Sequence, residues 1–360
     1  MSAPAGSTPE GWAPVRLRST RRPAPDGGAA AGTDAALCDR YGRIHDDLRL
    51  SITDRCNLRC TYCMPDGVEF QPRHQLLRFE EIVRVAAVAH RLGVQAVRVT
   101  GGEPLVRRGV VDLVAALSQV GFDDLSLTTN GMLLEPLARP LAEAGLRRVN
   151  ISCDSLRPDR FTAIRRRGDL GTVLGAMDAA EAAGLGPVKV NVVLVAGVND
   201  DEVEDFATFA RTTGRPVRFI EFMPLDAPGA WQREAVVDAA SVLRRIGRRW
   251  ALEPVAAADP SAPAERYRFV DGAGEIGVIA SVTRPFCGTC NRLRLTADGA
   301  VRNCLFGTDE VSLRDLMRQG ADDATLADAL RAAVGAKLPG HGINEPGFLR
   351  PARSMSMIGG

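Results

Sequence analysis

A chain of 360 residues, 45% apolar and 5% aromatic, is long enough for one large α/β domain or for two domains. With 45 Lys and Arg against 44 Asp and Glu the net charge is +1, which excludes a chain-wide field for nucleic acid or membrane and leaves any anionic ligand to local arginines. There is no run of 18 apolar residues and no basic-apolar-small leader, so a cytoplasmic protein is expected.

Residues 1 to about 37 are rich in Ala, Gly, Pro, Ser and Thr and carry Arg16, Arg18, Arg21 and Arg22. Such a segment cannot bury enough surface to order itself, which predicts a flexible extension over residues 1–40, or else a docking arm for a partner. From Leu48 to about Met223 strand-like runs alternate with amphipathic ones. Strands are predicted at 48–53, 95–100, 124–129, 148–153, 187–194 and 216–221, and helices at 79–92, 108–120, 134–144, 158–165, 171–184 and 201–213. The alternation calls for a mainly parallel sheet with right-handed crossovers. Six such units over residues 41–223 predict an α/β fold, a partial (β/α)6 barrel of the TIM type with its chemistry at the carboxyl ends of the strands. A doubly wound open sheet fits the same pattern. Residues 224–275 say little beyond a helix at 236–247 and a Pro/Ala-rich turn at 254–264, and the chain is expected to leave the barrel here and cover it. A strand at 276–280 and helices at 311–318 and 324–337 complete a C-terminal region over 224–340, followed by an extended tail over 341–360.

The polar residues inside the predicted strands share one parity: Arg49, Ser51 and Thr53; Arg98 and Thr100; Ser126 and Thr128; Asn150, Ser152 and Asp154; Lys189 and Asn191. With a side-chain period of two, each set faces one way while Leu50, Ile52, Val99, Leu127, Ile151, Val190 and Val192 face the other. Branched apolar side chains fill an ordinary barrel. A polar interior implies a cavity for a charged ligand, with Arg218 as a further inner cation.

Eight cysteines form two tight sets and two singles, Cys38 and Cys153, and in a chain without an export signal that pattern points to metal rather than disulfides. The first set, Cys56, Cys60 and Cys63, follows the first predicted strand. A structural zinc shell would need a fourth ligand, and none lies nearby. Three thiolates suit a [4Fe-4S] cluster whose fourth iron is left open to a small molecule. The spacing, with Tyr62 before the last cysteine, resembles the signature of radical S-adenosylmethionine enzymes, in which that iron is chelated by the methionyl group of the cosubstrate. Thr100-Gly101-Gly102-Glu103-Pro104 follows the second strand, and its glycines permit a close backbone approach, whether to a ligand or within a tight turn. Asp54 serves equally as a structural or a functional carboxylate.

The second set is Cys287 and Cys290, with thirteen residues between Cys290 and Cys304. A second three-thiolate cluster is the direct reading; zinc with Cys38, Cys153 or His341 as fourth ligand is the alternative. Cys153 lies on the outward parity and is expected to pack as a small hydrophobe. Arg292 and Arg294 fall on one side of a short extended piece between these cysteines, and two parallel guanidinium forks suit phosphates.

Taken together, LRLSITDRCNLRCTYCMP, RVTGGEPLVR, LTTNG, CDSL, KVNVVL, RFIEFMP, FCGTCNRLRLTADG, CLFG and the terminal Gly359-Gly360 closely resemble the GTP 3′,8-cyclase family of molybdenum cofactor biosynthesis over residues 41–360. The resemblance implies an S-adenosylmethionine cluster on Cys56, Cys60 and Cys63, with Tyr62, Gly102, Ser152 and Met223 contacting the cosubstrate. It implies GTP contacts from Arg49, Arg98, Thr128, Lys189 and Arg292, Leu293 and Arg294, and a second [4Fe-4S] cluster on Cys287, Cys290 and Cys304. Catalytic roles would fall to Arg292, Arg294, Gly359 and Gly360, the last two on a tail that reaches the active site. The reaction implied is radical abstraction of the ribose C3′ hydrogen of GTP, followed by C3′–C8 bond formation. An external one-electron reductant, cyclic pyranopterin monophosphate synthase downstream and a homodimer are the implied partners. The extension before Tyr41 has no counterpart role, and Cys153 stands where the family has a plain small or aliphatic residue. A radical enzyme acting on peptides is the rival within enzymes. An iron-sulfur electron carrier or scaffold is the rival outside them, although a carrier would normally saturate every iron with cysteine.

Overall fold

Alternating β-branched runs and i, i+3, i+4 apolar runs become strands and helices in regular succession. The computed structural model describes residues 36–64, 67–225, 229 and 231–359. The readings made for residues 1–35 and for Gly360 lie outside the described residues. Everything below belongs to the unit Thr33–Gly360.

The first half alternates β1 (Asp47–Ser51), α1 (Phe79–Arg91), β2 (Ala96–Thr100), α2 (Val110–Val120), β3 (Asp124–Thr129), α3 (Ala138–Glu143), β4 (Arg148–Ser152), α4 (Pro158–Arg165), α5 (Leu170–Ala182), β5 (Lys189–Leu194), α6 (Val203–Thr213) and β6 (Val217–Glu221). After these come α7 (Ala239–Gly247), β7 (Leu252–Val255), β8 (Glu265–Phe269), β9 (Glu275–Ile279), β10 (Arg292–Leu295), β11 (Ala300–Arg302), β12 (Val311–Ser312), α8 (Leu313–Arg318), α9 (Asp323–Gly335) and α10 (Met355–Ile358). Three of the helices start on an aspartate whose carboxylate accepts an orphan backbone N–H of the first turn: Asp169 from Thr172 for α5, Asp238 from Ser241 for α7, Asp322 from Thr325 for α9. Each such cap stabilises its helix by about 1 kcal/mol.

The strand order is β12-β11-β10-β1-β2-β3-β4-β5-β6-β9-β8-β7. All pairings from β10 through β9 are parallel. The six expected units are present, and the sheet is the partial barrel that the alternation predicts. The C-terminal region does more than cover it. An open parallel sheet leaves unpaired N–H and C=O groups along both edges, and this region pairs them, β10 against β1 and β9 against β6. The added strands β7, β8 and β11 were not legible as such, being short, charged or interrupted by Pro254. Cross-strand ion pairs, Arg266 with Glu275 and Arg268 with Glu253, hold the β7–β8–β9 edge together.

The parity reading holds. Leu48, Leu50, Ile52, Val97, Val99, Leu125, Leu127, Val149, Ile151, Val190, Val192, Val217 and Phe219 are all buried in one core with the apolar faces of the helices, among them Ile82, Val85, Ala86 and Ala89 of α1. Cys153 lies fully buried in the same core, as a small hydrophobe. Truncating any of the large members to Ala costs roughly 2–5 kcal/mol, because the parallel sheet has little freedom to collapse on the void.

A smaller core of Leu225, Val282, Phe306, Ile343 and Ile358, with Met223, Phe348 and Met355 against it, closes over the carboxyl ends. It accounts for the C-terminal segment, which is not extended throughout: Ile343 and Ile358 bury their side chains there and Met355–Ile358 coils into α10. Among the described residues no helix is long and apolar enough to cross a membrane.

Candidate active site

The loop after β1 carries Cys56, Cys60 and Cys63, and backbone contacts shape it. The N–H groups of Arg59 and Thr61 donate to the carbonyls of Arg165 and Ile164 at 3.2 and 3.0 Å, so the loop caps the end of α4, whose last carbonyls have no partners within the helix. The Arg59 guanidinium donates to the carbonyls of Cys56 and Leu58 at 2.8 and 2.7 Å. On the other side Gly102 N–H donates to Thr53 at 2.7 Å and Glu103 N–H to Arg55 at 2.8 Å. A Cβ on Gly102 would stand 2.6 Å from the Arg55 carbonyl and 2.7 Å from that of Asp54. The close approach that these glycines permit is therefore to the cysteine loop itself. The Asp54 carboxylate accepts the Gln71 N–H at 2.6 Å, a structural contact.

Glu103, named in the sequence only as part of its motif and given no role, is buried beneath the loop. Its carboxylate accepts from the backbone of Leu105 and Asn130 and from the Thr129 hydroxyl at 3.0, 2.7 and 2.8 Å. Burial raises it to about 7 against the pull of those bonds. Asn130 in turn donates to Asn57 at 2.8 Å. Behind the loop Arg165, also missed, is buried 2.9 Å from Asp154, which accepts the Tyr62 hydroxyl at 2.7 Å. Neither residue has a spacing signal; only the tertiary fold brings them there.

The three thiols are free, and Cys60 is buried. Burial pushes all three upward, Cys56 to about 11; Cys60 adds to the rise of Cys56, and Cys60 and Cys56 add to that of Cys63. Thiolates here need a strong positive partner, and the all-sulfur donor set is the one that iron-sulfur clusters take. Among the described residues no three His, Cys, Asp or Glu side chains converge on a single ion.

Cys287 and Cys290 frame a short turn just before β10, and Cys304 follows β11. Lys337 donates to the Cys290 thiol at 3.2 Å and to the Arg292 carbonyl at 3.1 Å. Burial acts to raise Cys290, but Arg292 and Lys337 outweigh it and bring this thiol down to about 6. The Arg43 guanidinium donates to the carbonyls of Cys287, Leu338 and Pro339 at 2.8, 2.7 and 3.0 Å. Of the possible fourth zinc ligands His341 lies nearest, its backbone N–H bonded to the Cys287 thiol. Cys38 is exposed, Cys153 lies in the helix-side core, and the His341 ring stacks on Phe306 while Nδ1 accepts the Ile343 N–H.

Parallel pairing of β1 and β10 fixes how the two sets relate. Asp47 is opposite Arg292 and Arg49 opposite Arg294. The first set follows the carboxyl end of β1, whereas Cys290 precedes the amino end of β10. The sets therefore stand at opposite ends of a strand pair whose matched part is roughly 13 Å long. Along the inner face between them the register aligns Arg294, Arg49, Arg98, Ser126 and Arg148, then Thr128, Asn150 and Lys189, then Ser152, Asn191 and Arg218.

This wall carries more positive than negative charge. Arg49 is paired with Asp47 at 2.9 Å, and Arg148, missed although it shares the parity of Asn150, is paired with Asp124. Arg98 bonds only the Ser126 hydroxyl, at 3.3 Å. Burial and then Arg49 push Arg98 down. Burial, Arg218, Arg148 and Arg98 bring Lys189 to about 6; burial and neighbouring arginines bring Arg218 to about 10 and Arg294 to about 9. Groups so depressed are short of an anion. Leu293 points away, its side chain in the helix-side core, which leaves only its backbone to a ligand. Met223 lies on the small core after β6.

The C-terminal tail ends on this wall. The Gly359 carbonyl accepts from Arg294 at 2.6 Å, and a Cβ there would stand 2.7 Å from the Thr100 hydroxyl and 2.8 Å from Ser51 Cβ. Beside Tyr62, an apolar cavity opens between Ile164, Val193, Val195 and Phe222.

Comparison with known proteins follows the same division. Residues 50–210 match the Radical SAM superfamily and residues 216–343 match Molybdenum Cofactor Synthesis C. The GTP 3′,8-cyclase of Rhodopirellula baltica is 48% identical over 331 residues, 90% of this chain and 92% of that protein. The GTP 3′,8-cyclase of Mycolicibacterium smegmatis is 48% identical over 356 residues, 96% of this chain and 98% of the other. Among solved structures, Streptococcus suis SuiB bound to S-adenosylmethionine superposes with a TM-score of 0.56 at 14% identity, covering 80% of this chain and 68% of that one. Native anSMEcpe with bound AdoMet gives 0.51 at 14%, covering 78% and 81%. At that identity these two establish the fold.

Proposed function

The chain belongs to the GTP 3′,8-cyclase family of radical S-adenosylmethionine enzymes, and on that footing we propose how its own residues divide the work. It is a lyase for the first step of molybdenum cofactor biosynthesis, converting GTP to (8S)-3′,8-cyclo-7,8-dihydroguanosine 5′-triphosphate. Cys56, Cys60 and Cys63 hold the cluster that binds S-adenosylmethionine, with Tyr62, Gly102, Ser152 and Met223 around the cosubstrate. Cys287, Cys290 and Cys304 hold a second [4Fe-4S] cluster.

The observation that carries this reading is the parallel register of β1 with β10, which sets the two thiol sets at opposite ends of one cation-lined wall. Cys56, Cys60 and Cys63 would hold a cluster that, with S-adenosylmethionine bound and one electron supplied, would provide the radical chemistry for removal of the C3′ hydrogen. The chain's side chains do the rest by placement. Arg49, Arg98, Lys189, Arg218 and Arg294 neutralise the triphosphate, since cations outnumber carboxylates on this wall. Thr128 and the backbone of residues 292–294 fix the nucleoside between the clusters, so that C3′ and C8 lie within reach of one another. Gly359 closes the wall against water. An external one-electron reductant and a downstream cyclic pyranopterin monophosphate synthase complete the proposed partners, with a homodimer as the assembly.

Anaerobic reconstitution tests the reading directly. Two [4Fe-4S] clusters correspond to about eight irons per chain, and formation of 5′-deoxyadenosine should depend on GTP. Zinc at either site, or four irons at full occupancy, would sink it.

A further inference from the structure

Lys337 is buried at the end of α9, and the sequence offers no motif that singles it out. Its ammonium touches three groups: the Cys290 thiol at 3.2 Å, the Cys290 carbonyl at 3.5 Å and the Arg292 carbonyl at 3.1 Å. A buried ammonium needs acceptors or a counter-charge, and here two carbonyls and one sulfur are all it has. The other two cysteines of this set are treated differently. Cys287 is fixed through its carbonyl by Arg43, and Cys304 lies in the loop beyond β11, its carbonyl accepting the Gly307 N–H at 3.3 Å. Of these three, Cys290 is the one whose sulfur accepts from cationic side chains, Lys337 at 3.2 Å with the Arg292 guanidinium beside it.

We propose that Lys337 is a positioning residue for the second cluster: it raises that cluster's reduction potential through Cys290 and, through the Arg292 carbonyl, ties this ligand to the strand that presents Arg292 and Arg294 to substrate. The inference rests on the second-cluster reading above. The physics is that of hydrogen bonds and charge beside cluster sulfurs, which stabilise the more negative, reduced state. At the first set Arg165 also bonds the Cys60 thiol, but its charge is already matched by Asp154 at 2.9 Å, whereas Lys337 has no carboxylate against it. One lysine thus makes the two clusters unequal and favours an electron resting at the substrate end of the cavity. Its third contact adds a mechanical consequence. Arg292 and Cys290 are separated by a single residue, so an ammonium bridging them fixes the angle at which β10 leaves the cysteine turn.

The test is a redox titration of the reconstituted full chain followed by electron paramagnetic resonance, with S-adenosylmethionine added to mark the first cluster's signal. In K337M the second cluster's midpoint should move to more negative potential while the first stays where it is; K337R should lie close to wild type. An unmoved second midpoint in K337M at full iron content overturns the proposal. Should K337M fail to hold the second set of irons, K337R must hold them, and loss in both overturns it as well. Wild-type protein with four irons, or with zinc, would instead remove the cluster reading itself, a different failure with a different signature.

Discussion

Cys56, Cys60 and Cys63 are surrounded by backbone: α4 carbonyls on one side, the Gly101-Gly102 strand end on the other, a buried carboxylate below. Cys287, Cys290 and Cys304 are surrounded by cations: Arg43 on a carbonyl, Lys337 on a thiol, Arg292 alongside. Both sets have the same three donors, and burial raises Cys56 to about 11 and raises Cys287 as well, yet Arg292 and Lys337 bring Cys290 down to about 6. The contrast teaches that one thiol triad is formed by fit and the other by charge. A site made by fit fails through steric change and tolerates salt, while a site made by charge fails through loss of a cation and tolerates small steric change.

The largest expected effect comes from breaking fit alone. In G102A the new methyl would meet the carbonyls of Asp54 and Arg55, which are backbone and cannot swing aside. Overpacking of this kind costs roughly 1–3 kcal/mol, and it falls on the loop that carries the first cysteines. Iron content should drop by about half, since one of two clusters is lost, and 5′-deoxyadenosine formation should fall to background while the second cluster's signal persists. Wild-type iron and cosubstrate cleavage in G102A would show that fit does not form this loop.

The next effect falls on the wall between the sets, at Lys189. Its ammonium is brought down to about 6 by burial and three arginines, so at pH 7.5 the free protein holds it largely neutral. A bound triphosphate restores the proton, and GTP binding should therefore take up a proton and weaken as pH rises above about 6. The unfolded chain keeps this proton up to about 10.4, so in the absence of GTP the group lowers stability at neutral pH, and that cost is relieved between about 6 and 10 as pH rises. Calorimetry in two buffers of different protonation enthalpy measures the uptake. In K189M most of it should vanish and GTP binding should weaken by roughly 2–5 kcal/mol. Buffer-independent binding heats in the wild type would refute the assignment.

Most of the architecture was readable because its determinants are local. Alternation placed the six βα units, and parity placed Arg49, Arg98, Thr128, Ser152, Lys189 and Arg218 on one wall, where the register indeed aligns them. What escaped depends on long-range pairing. Nothing in Glu265–Phe269 or Ala300–Arg302 announces a strand until an open edge is there to receive it. Arg165 and Lys337 stand 105 and 47 positions from the cysteines whose thiols they serve, Cys60 and Cys290. Glu103 was in view within its motif, but its burial under Asn130 belongs to the fold. Leu293 shows the reverse case: motif membership suggested a contact that its outward side chain leaves to the backbone.

The smallest effect concerns how the charged end of the molecule holds its own tail. Arg353 donates to both oxygens of Asp298 at 3.0 and 2.9 Å and to Glu310 at 2.7 Å. Asp298 lies in the turn between β10 and β11, so the tail is tied to the hairpin whose Arg294 meets Gly359. Apolar packing supplies a second tether, since Ile358 is fully buried. Partly exposed ion pairs contribute about 1 kcal/mol at most, so removing Arg353 should loosen the tail without freeing it. In R353A we expect kcat to fall about tenfold, equivalent to about 1.4 kcal/mol in the barrier, with iron content and uncoupled 5′-deoxyadenosine formation unchanged and R353K between the two. Adding I358D should produce the larger loss, because it removes the remaining tether. A wild-type kcat in R353A would mean that packing alone places the tail, and the charged character of this end would then stop at the cysteines.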